Sequence, residues 1–124
     1  MTKRLYCIRG AVCADNTKES IKDSVCKMMN LIVELNNLKT EDIVSFQFTM
    51  TPDLDELNPA TALRTGNCKV DSSVIPLFCS AEPVIKGMLK RVIRVMVSVY
   101  LEEGSVIKPV YTNGAEALRP DIAK

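Results

Sequence analysis

The chain has 124 residues, 47% of them hydrophobic and 5% aromatic, which predicts one compact domain over residues 1–124 with no spare length for a second. Its 16 basic and 15 acidic side chains leave a net charge of +1, which argues against nucleic acid or an acidic membrane as partner, because phosphate recognition shows as a basic excess. There is no histidine, which removes the usual general base near neutral pH, the serine–histidine and cysteine–histidine nucleophile pairs and the commonest transition-metal ligand, so no metal site is expected.

Residues 4–13, RLYCIRGAVC, form a β-rich run that predicts a first strand, and Gly10 beside Arg9 marks a place where backbone or ligand approaches closely. ADNTKES then carries cap signals, with Asn16 three residues before Glu19. Ile21, Val25, Met28, Met29, Ile32 and Leu35 recur at helical spacing, so an amphipathic helix is expected from about 17 to 36, ended by Asn36 and Asn37. Thr40 caps a short turn, and IVSFQFTM places Val44, Phe46, Phe48 and Met50 on one face of a second strand. Asn58 before Pro59 starts a short helix to about Arg64, which Gly66 and Asn67 break. VIPLFC (74–79) reads as a strand with Pro76 at an edge or bulge. After a turn around Lys86 and Gly87, RVIRVMVSVYL is apolar on nearly every residue and predicts a central strand covered on both faces. VIKPVY supplies a last strand, followed by a turn at Gly114 into AEALRPD.

This order predicts an α+β fold, a mixed β-sheet with one long helix and short helices. The strand at 92–101 has apolar residues pointing both ways, while few helices remain to cover them, so another subunit is expected to supply cover in a closed ring. The five cysteines, Cys7, Cys13, Cys26, Cys68 and Cys79, are odd in number and form no CxxC pair, which predicts free thiols in a reducing cytoplasm. The first residues lack a long apolar run and no stretch of about 18 uncharged apolar residues follows, so neither secretion nor a membrane span is expected.

Arg94 is the anomaly. It stands inside VIRVMVSV, where its neighbours predict burial, and a buried guanidinium needs an internal partner such as Glu82 or a bound anion. A second strand-borne arginine, Arg9, sits beside a glycine, and two guanidinium forks suit a substrate with carboxylates. Glu82 either orients Arg94, accepts from a ligand hydroxyl or is a solvated turn carboxylate. Arg64 is a third cation or a helix-end residue favoured by the dipole. Tyr111 ends a strand with a wet hydroxyl, and Cys79, without a base, reads as a pocket wall rather than a nucleophile. The TPD at 51–53 is by itself an ordinary turn.

IRGAV (8–12), TPDL (51–54), PATALR (59–64), the Cys79 to Glu82 spacing, IRVMV (93–97), VY (110–111) and ALRPD (117–121) occur in the order seen in monofunctional chorismate mutases of the AroH class, which the chain resembles over most of its length. The resemblance implies a homotrimeric pseudo-α/β-barrel with substrate clefts between subunits, and the rearrangement of chorismate to prephenate without cofactor, metal or covalent intermediate. Position by position, it implies that Arg94 bonds the ether oxygen and a carboxylate, that Arg9 and Tyr111 grip carboxylate, and that Glu82 meets the substrate hydroxyl. Cys79 becomes a pocket cysteine, Arg64 a cation near the cleft mouth and Leu118 an apolar wall. Two positions at the cleft mouth depart from the family: Asn58 stands where an aromatic is usual, and Thr61 where a lysine is frequent. The segment after Arg64 also looks slightly longer than in the family, and Asn67 follows Gly66 where a tryptophan is common. These departures bear on affinity and entry, and they keep two other readings open: a trimer that binds a small carboxylate without turnover, and a trimeric imine hydrolase.

Overall fold

The structure, a computed structural model, describes residues 2–122. In chain order it contains β1 (Lys3–Cys13), α1 (Lys18–Leu35), a 3-10 turn (Thr40–Asp42), β2 (Ile43–Met50), α2 (Pro59–Thr65), β3 (Leu77–Ala81), β4 (Val92–Glu102), β5 (Val110–Thr112) and a second 3-10 turn (Ala115–Leu118). The five strands form one mixed sheet in the order β3-β2-β4-β1-β5. β4 runs antiparallel to both β1 and β2, while β5 lies parallel to β1 and β3 parallel to β2.

The local chemistry explains the elements. Thr17, rather than Asn16, caps α1, its hydroxyl accepting from Ser20 N at 3.0 Å. Asn16 braces the 55–56 loop instead, accepting from the backbone N–H groups of Asp55 and Glu56. At the other end Asn36 exchanges two hydrogen bonds with the backbone of Lys108, at 2.9 and 2.7 Å, tying the helix to the approach of β5. Asn58 caps α2, accepting from Ala60 N at 2.8 Å, with Pro59 in the first turn, where its missing N–H costs nothing.

α1 covers one face of the sheet. Ile21, Val25, Met28, Met29 and Ile32 are fully buried, together with Ile8 and Val12 of β1, Phe46 and Phe48 of β2 and Val97 and Val99 of β4. The close approach at Gly10 is to this helix: a Cβ there would lie 2.7 Å from Ile32 Cδ1 and 3.2 Å from Val95 Cγ1. Leu35, counted in the apolar stripe from its spacing, is exposed.

Several expectations change. β4 is central, but on the face opposite α1 the chain covers only its first residue, Val92, with Tyr111 and Ala115, and period-two alternation leaves Arg94, Met96, Ser98 and Tyr100 on the open remainder of that face. Leu5, Phe78 and Tyr100 stand exposed on that open face. A register shift at Ile43/Ser45 buries Ile43 and turns Val44 outward, whereas Phe46, Phe48 and the half-buried Met50, which packs against the core, keep the face the alternation predicts. The strand expected at 74–79 begins after Pro76, whose carbonyl accepts from Phe46 N at 3.0 Å, and the last strand shrinks to the residues after Pro109.

The cysteines are not all free thiols. Cys26 of α1 is disulfide-bonded to Cys68, 42 positions away, while Cys7, Cys13 and Cys79 remain free. Gly66 makes room for this link, because a Cβ there would meet Cys26 Sγ at 2.6 Å and Ala62 O at 2.5 Å. The cysteine count therefore no longer supports a reducing compartment. No helix among the described residues is long and apolar enough to cross a membrane.

Closing a loop of this length typically stabilises a fold by about 2–4 kcal/mol. Replacing Cys26 and Cys68 together by alanine is expected to lower the midpoint of denaturant unfolding accordingly; an unchanged midpoint would show that the link contributes nothing in solution.

Candidate active site

The sheet register assembles one row of side chains on the open face. Tyr111 of β5 pairs with Ala11 of β1, Ala11 with Arg94 of β4, Arg94 with Thr49 of β2, and Thr49 with Ser80 of β3. Arg9 stands in the adjacent row, opposite Met96.

Glu82 closes the row. Its backbone N–H donates to Met50 O at 3.1 Å, which carries the β2–β3 pairing past the end of β3 and brings the carboxylate over β4. Arg94 donates through Nε to Oε1 at 2.7 Å and through Nη2 to Oε2 at 2.9 Å, a two-point fork. Thr49 Oγ1 donates a short hydrogen bond to the same Oε1. The Arg94 bonds, with the Thr49 bond adding to them, outweigh the cost of burial and hold the Glu82 carboxyl below its ordinary range. In return, Glu82 raises the Arg94 pKa further, so the guanidinium is permanently charged.

Arg94 is not buried as its apolar neighbours suggest. Its side chain is 51% exposed, against 7% for that of Glu82, because the strand alternation puts it on the uncovered face. Nε and Nη2 are committed to Glu82, while half of the side chain remains open to solvent. Two adjoining clefts share Glu82 and Arg94. One, of about 300 Å³, is lined also by Arg9, Gln47, Thr49, Met96 and Tyr111. The other, of about 180 Å³, is more apolar and includes Ile85, Met88, Leu89, Val92 and Leu118. Tyr111 is buried with Ala11, Val92 and Ala115, and Leu118 packs against that cluster.

Arg9, Glu82, Arg94, Tyr111 and Leu118 thus come together, whereas Asn58, Thr61, Arg64 and Cys79 do not join them. Asn58 and Thr61 belong to the first turn of α2 and Arg64 to its last, where it lines a separate concavity with Gly66, Lys69 and Asp71. Cys79 pairs with Phe48 on the helix-covered side of β3, and burial pushes its thiol pKa up, which disfavours the nucleophilic thiolate. A larger concavity of about 490 Å³ lies away from this row, around Lys3, Asn36 and Tyr100, and Lys3 there is paired with Asp42 at 2.6 Å.

The TPD turn does more than reverse the chain. Thr51 Oγ1 accepts from Val92 N at 3.0 Å and donates to Asp53 at 2.6 Å, while the Asp53 carboxylate accepts from Arg91 N at 3.0 and 3.2 Å. Arg91 has φ of 58°, a left-handed conformation that a non-glycine residue keeps only when its surroundings hold it. The turn therefore fixes where β4 begins, just before Arg94. Sequence reasoning missed this lock, and it missed Thr49; the signal for Thr49 is the alternation of β2, which turns it away from buried Phe46 and Phe48.

Comparison with known proteins places this geometry. The sequence pattern of chorismate mutase type I matches residues 5–122. The chain belongs to that family. It is 34% identical over 118 residues to chorismate mutase AroH of Bacillus subtilis, covering 94% of this chain and 91% of the relative. Against chorismate mutase AroH of Thermus thermophilus the identity is 30%, covering 93% of each chain. A solved chorismate mutase from Clostridium thermocellum superposes with a TM-score of 0.82 at 37% identity, covering 90% of this chain and 98% of that one. The mixed sheet with its two helices is accordingly the AroH-like fold of the type I family.

Partial burial alone pushes the Asp53 carboxyl up, but its hydrogen bonds from Thr51 and Arg91 prevail and hold it below the ordinary range. Asp53→Asn is expected to cost about 1 kcal/mol at neutral pH, the low end for a charge-assisted bond because the site is open to solvent. A group with a depressed native pKa stabilises above its unfolded pKa and loses that contribution as pH falls through the native value. Wild type and variant should therefore converge in acid; a difference that persists there would remove the carboxylate charge from the lock.

Proposed function

We propose that the chain is a chorismate mutase, an isomerase of aromatic amino-acid biosynthesis that converts chorismate to prephenate in one pericyclic step. The observation that carries this reading is the Arg94–Glu82 fork, which presents a half-open guanidinium in a cleft that also holds Arg9 and Tyr111. As the carbon–oxygen bond breaks ahead of carbon–carbon bond formation, negative charge grows on the ether oxygen. A fixed cation there stabilises the transition state more than the ground state. Arg94 takes that role. Arg9 and Tyr111 hold carboxylate, Glu82 meets the substrate hydroxyl and Leu118 walls the cleft, which keeps the flexible dianion in its compact reactive shape. The step transfers no proton to the protein and forms no covalent bond to it, so it asks nothing of the histidine this chain lacks.

The working assembly is a homotrimer. Exposed Leu5, Phe78 and Tyr100 on the open sheet face support it, since a patch of this kind is what a neighbouring subunit covers. In such a ring Arg64, Cys79, Asn58 and Thr61, which lie away from the Arg94 cleft of their own chain, reach the cleft of the next subunit. The site of action is the cytoplasm, a placement that rests on the biosynthetic role and not on the cysteines.

The test is the loss of chorismate absorbance with purified protein. Wild type should consume chorismate with prephenate as product, while Arg94→Ala should lose on the order of 10²- to 10³-fold or more in rate. Arg94→Lys should rescue little, because an ammonium lacks the planar fork. Tight binding of chorismate without turnover by wild type would instead establish the carboxylate-binding reading. Sedimentation should give three times the monomer mass, and a clean monomer would remove the interface-site arrangement.

A further inference from the structure

Glu82 is an insecure platform for a catalytic cation. It lies beyond the end of β3, is followed by Pro83, and heads a segment without regular structure that runs to β4. Among the described residues its backbone is anchored by the single bond to Met50 O. Its side chain is enclosed, so its two oxygens are placed by the groups that donate to them, and Arg94 alone fixes them loosely, because both partners of the fork are long side chains.

Thr49 supplies what is missing. It is the direct cross-strand neighbour of Arg94 in the middle of the sheet, and its side chain is short and stiff at χ1. Its hydroxyl donates to Oε1, the same oxygen that receives Arg94 Nε, so one carboxylate oxygen is pinned from β2 and β4 together. The second oxygen is then set against Arg94 Nη2, and two parallel bonds leave the guanidinium plane no rotation of its own. We propose that Thr49 is a positioning residue for the reaction: its hydroxyl fixes the Glu82 carboxylate, and through it the plane in which Arg94 meets the ether oxygen. This rests on the chorismate mutase reading for the identity of the reaction, but not for the contact itself.

Among the described residues, the ionisable groups that share the cleft with Glu82 are Arg94 of β4, Arg9 of β1 and the phenol of Tyr111 of β5. Thr49 of β2, Thr51 just beyond it, Pro83, Ile85 and Met88 of its own segment, and Leu118 bring no charge. Removing the Thr49 bond, which favours the ionised carboxylate, should therefore raise the Glu82 pKa and move the acid limb of activity to higher pH.

The experiment compares wild type with Thr49→Val, which keeps the shape and loses the hydroxyl, and Thr49→Ser, which keeps the hydroxyl and loses the methyl. With chorismate as substrate, Thr49→Val should lower kcat about 10- to 100-fold, the range for losing a hydrogen bond to a charged group, with a much smaller change in KM. Thr49→Ser should restore both kcat and the acid limb. A Thr49→Val enzyme with the wild-type kcat and pH profile would overturn the proposal, as would a serine variant no better than valine, which would make the methyl packing decisive. Carboxyl carbon NMR of Glu82 in the folded proteins reads the contact without substrate: an upward pKa shift in Thr49→Val alone is expected. An unshifted titration would overturn the Thr49 role even if wild type turns over chorismate. A shifted titration in a protein that leaves chorismate intact would instead sink the mutase reading while upholding the contact.

Discussion

A guanidinium standing on a solvent-facing sheet can stabilise growing charge only if its plane is held before the substrate arrives, and the fork between Arg94 and Glu82 supplies that hold. The pair is asymmetric by design of the fold. The carboxylate is almost fully enclosed while half of the arginine side chain remains open, so desolvation falls mainly on the partner that receives three hydrogen bonds in compensation. Much of the rest of the structure serves this arrangement: β2 brings Thr49 alongside, the extension of β3 delivers Glu82, and α1 packs an apolar core against the sheet from the other side.

What was legible in the sequence was what period and chemistry mark locally. The spacing from Ile21 to Ile32 gives α1, Asn58-Pro59 gives α2, and an arginine amid valines stands out at Arg94 because a polar group in an apolar run needs a reason. Contacts across the sheet were not legible. Alternation turns Thr49 away from the core, but it does not say that Arg94 lies beside it, since register is set by pairing between strands 45 positions apart in the chain. The Cys26–Cys68 link escaped for the same reason: neither spacing nor count marks a pairing between a helix cysteine and one in a loop 42 positions on. The burial expected for Arg94 failed because an apolar run does not reveal whether its second face is covered by the same chain.

The candidate residues also divide by the kind of element that carries them. Arg9, Arg94 and Tyr111 stand on strands whose positions are fixed by the sheet, whereas Asn58, Thr61 and Arg64 ride on a two-turn helix. That helix is held to α1 by the disulfide just beyond its end and by the close fit at Gly66. The departures from the family at Asn58 and Thr61 thus fall on an element that lies off the sheet, and Asn58 already spends its side chain on capping it.

The lock at Thr51 and Asp53 has a meaning that comes from the pleat rather than from chemistry. Along β4, even-numbered positions from Arg94 to Tyr100 look outward and odd-numbered ones from Val95 to Val99 look toward α1. Sliding the strand by a single residue would thrust the guanidinium in among Ile32 and Phe48 and lay the valines bare. A slip of β4 is therefore not a graded change: one residue inverts the whole strand, whereas two restore its facing while moving every side chain one row along. The bonds from Val92 N and Arg91 N to Thr51 and Asp53 hold the strand to one of these settings, a reading frame imposed on it by geometry.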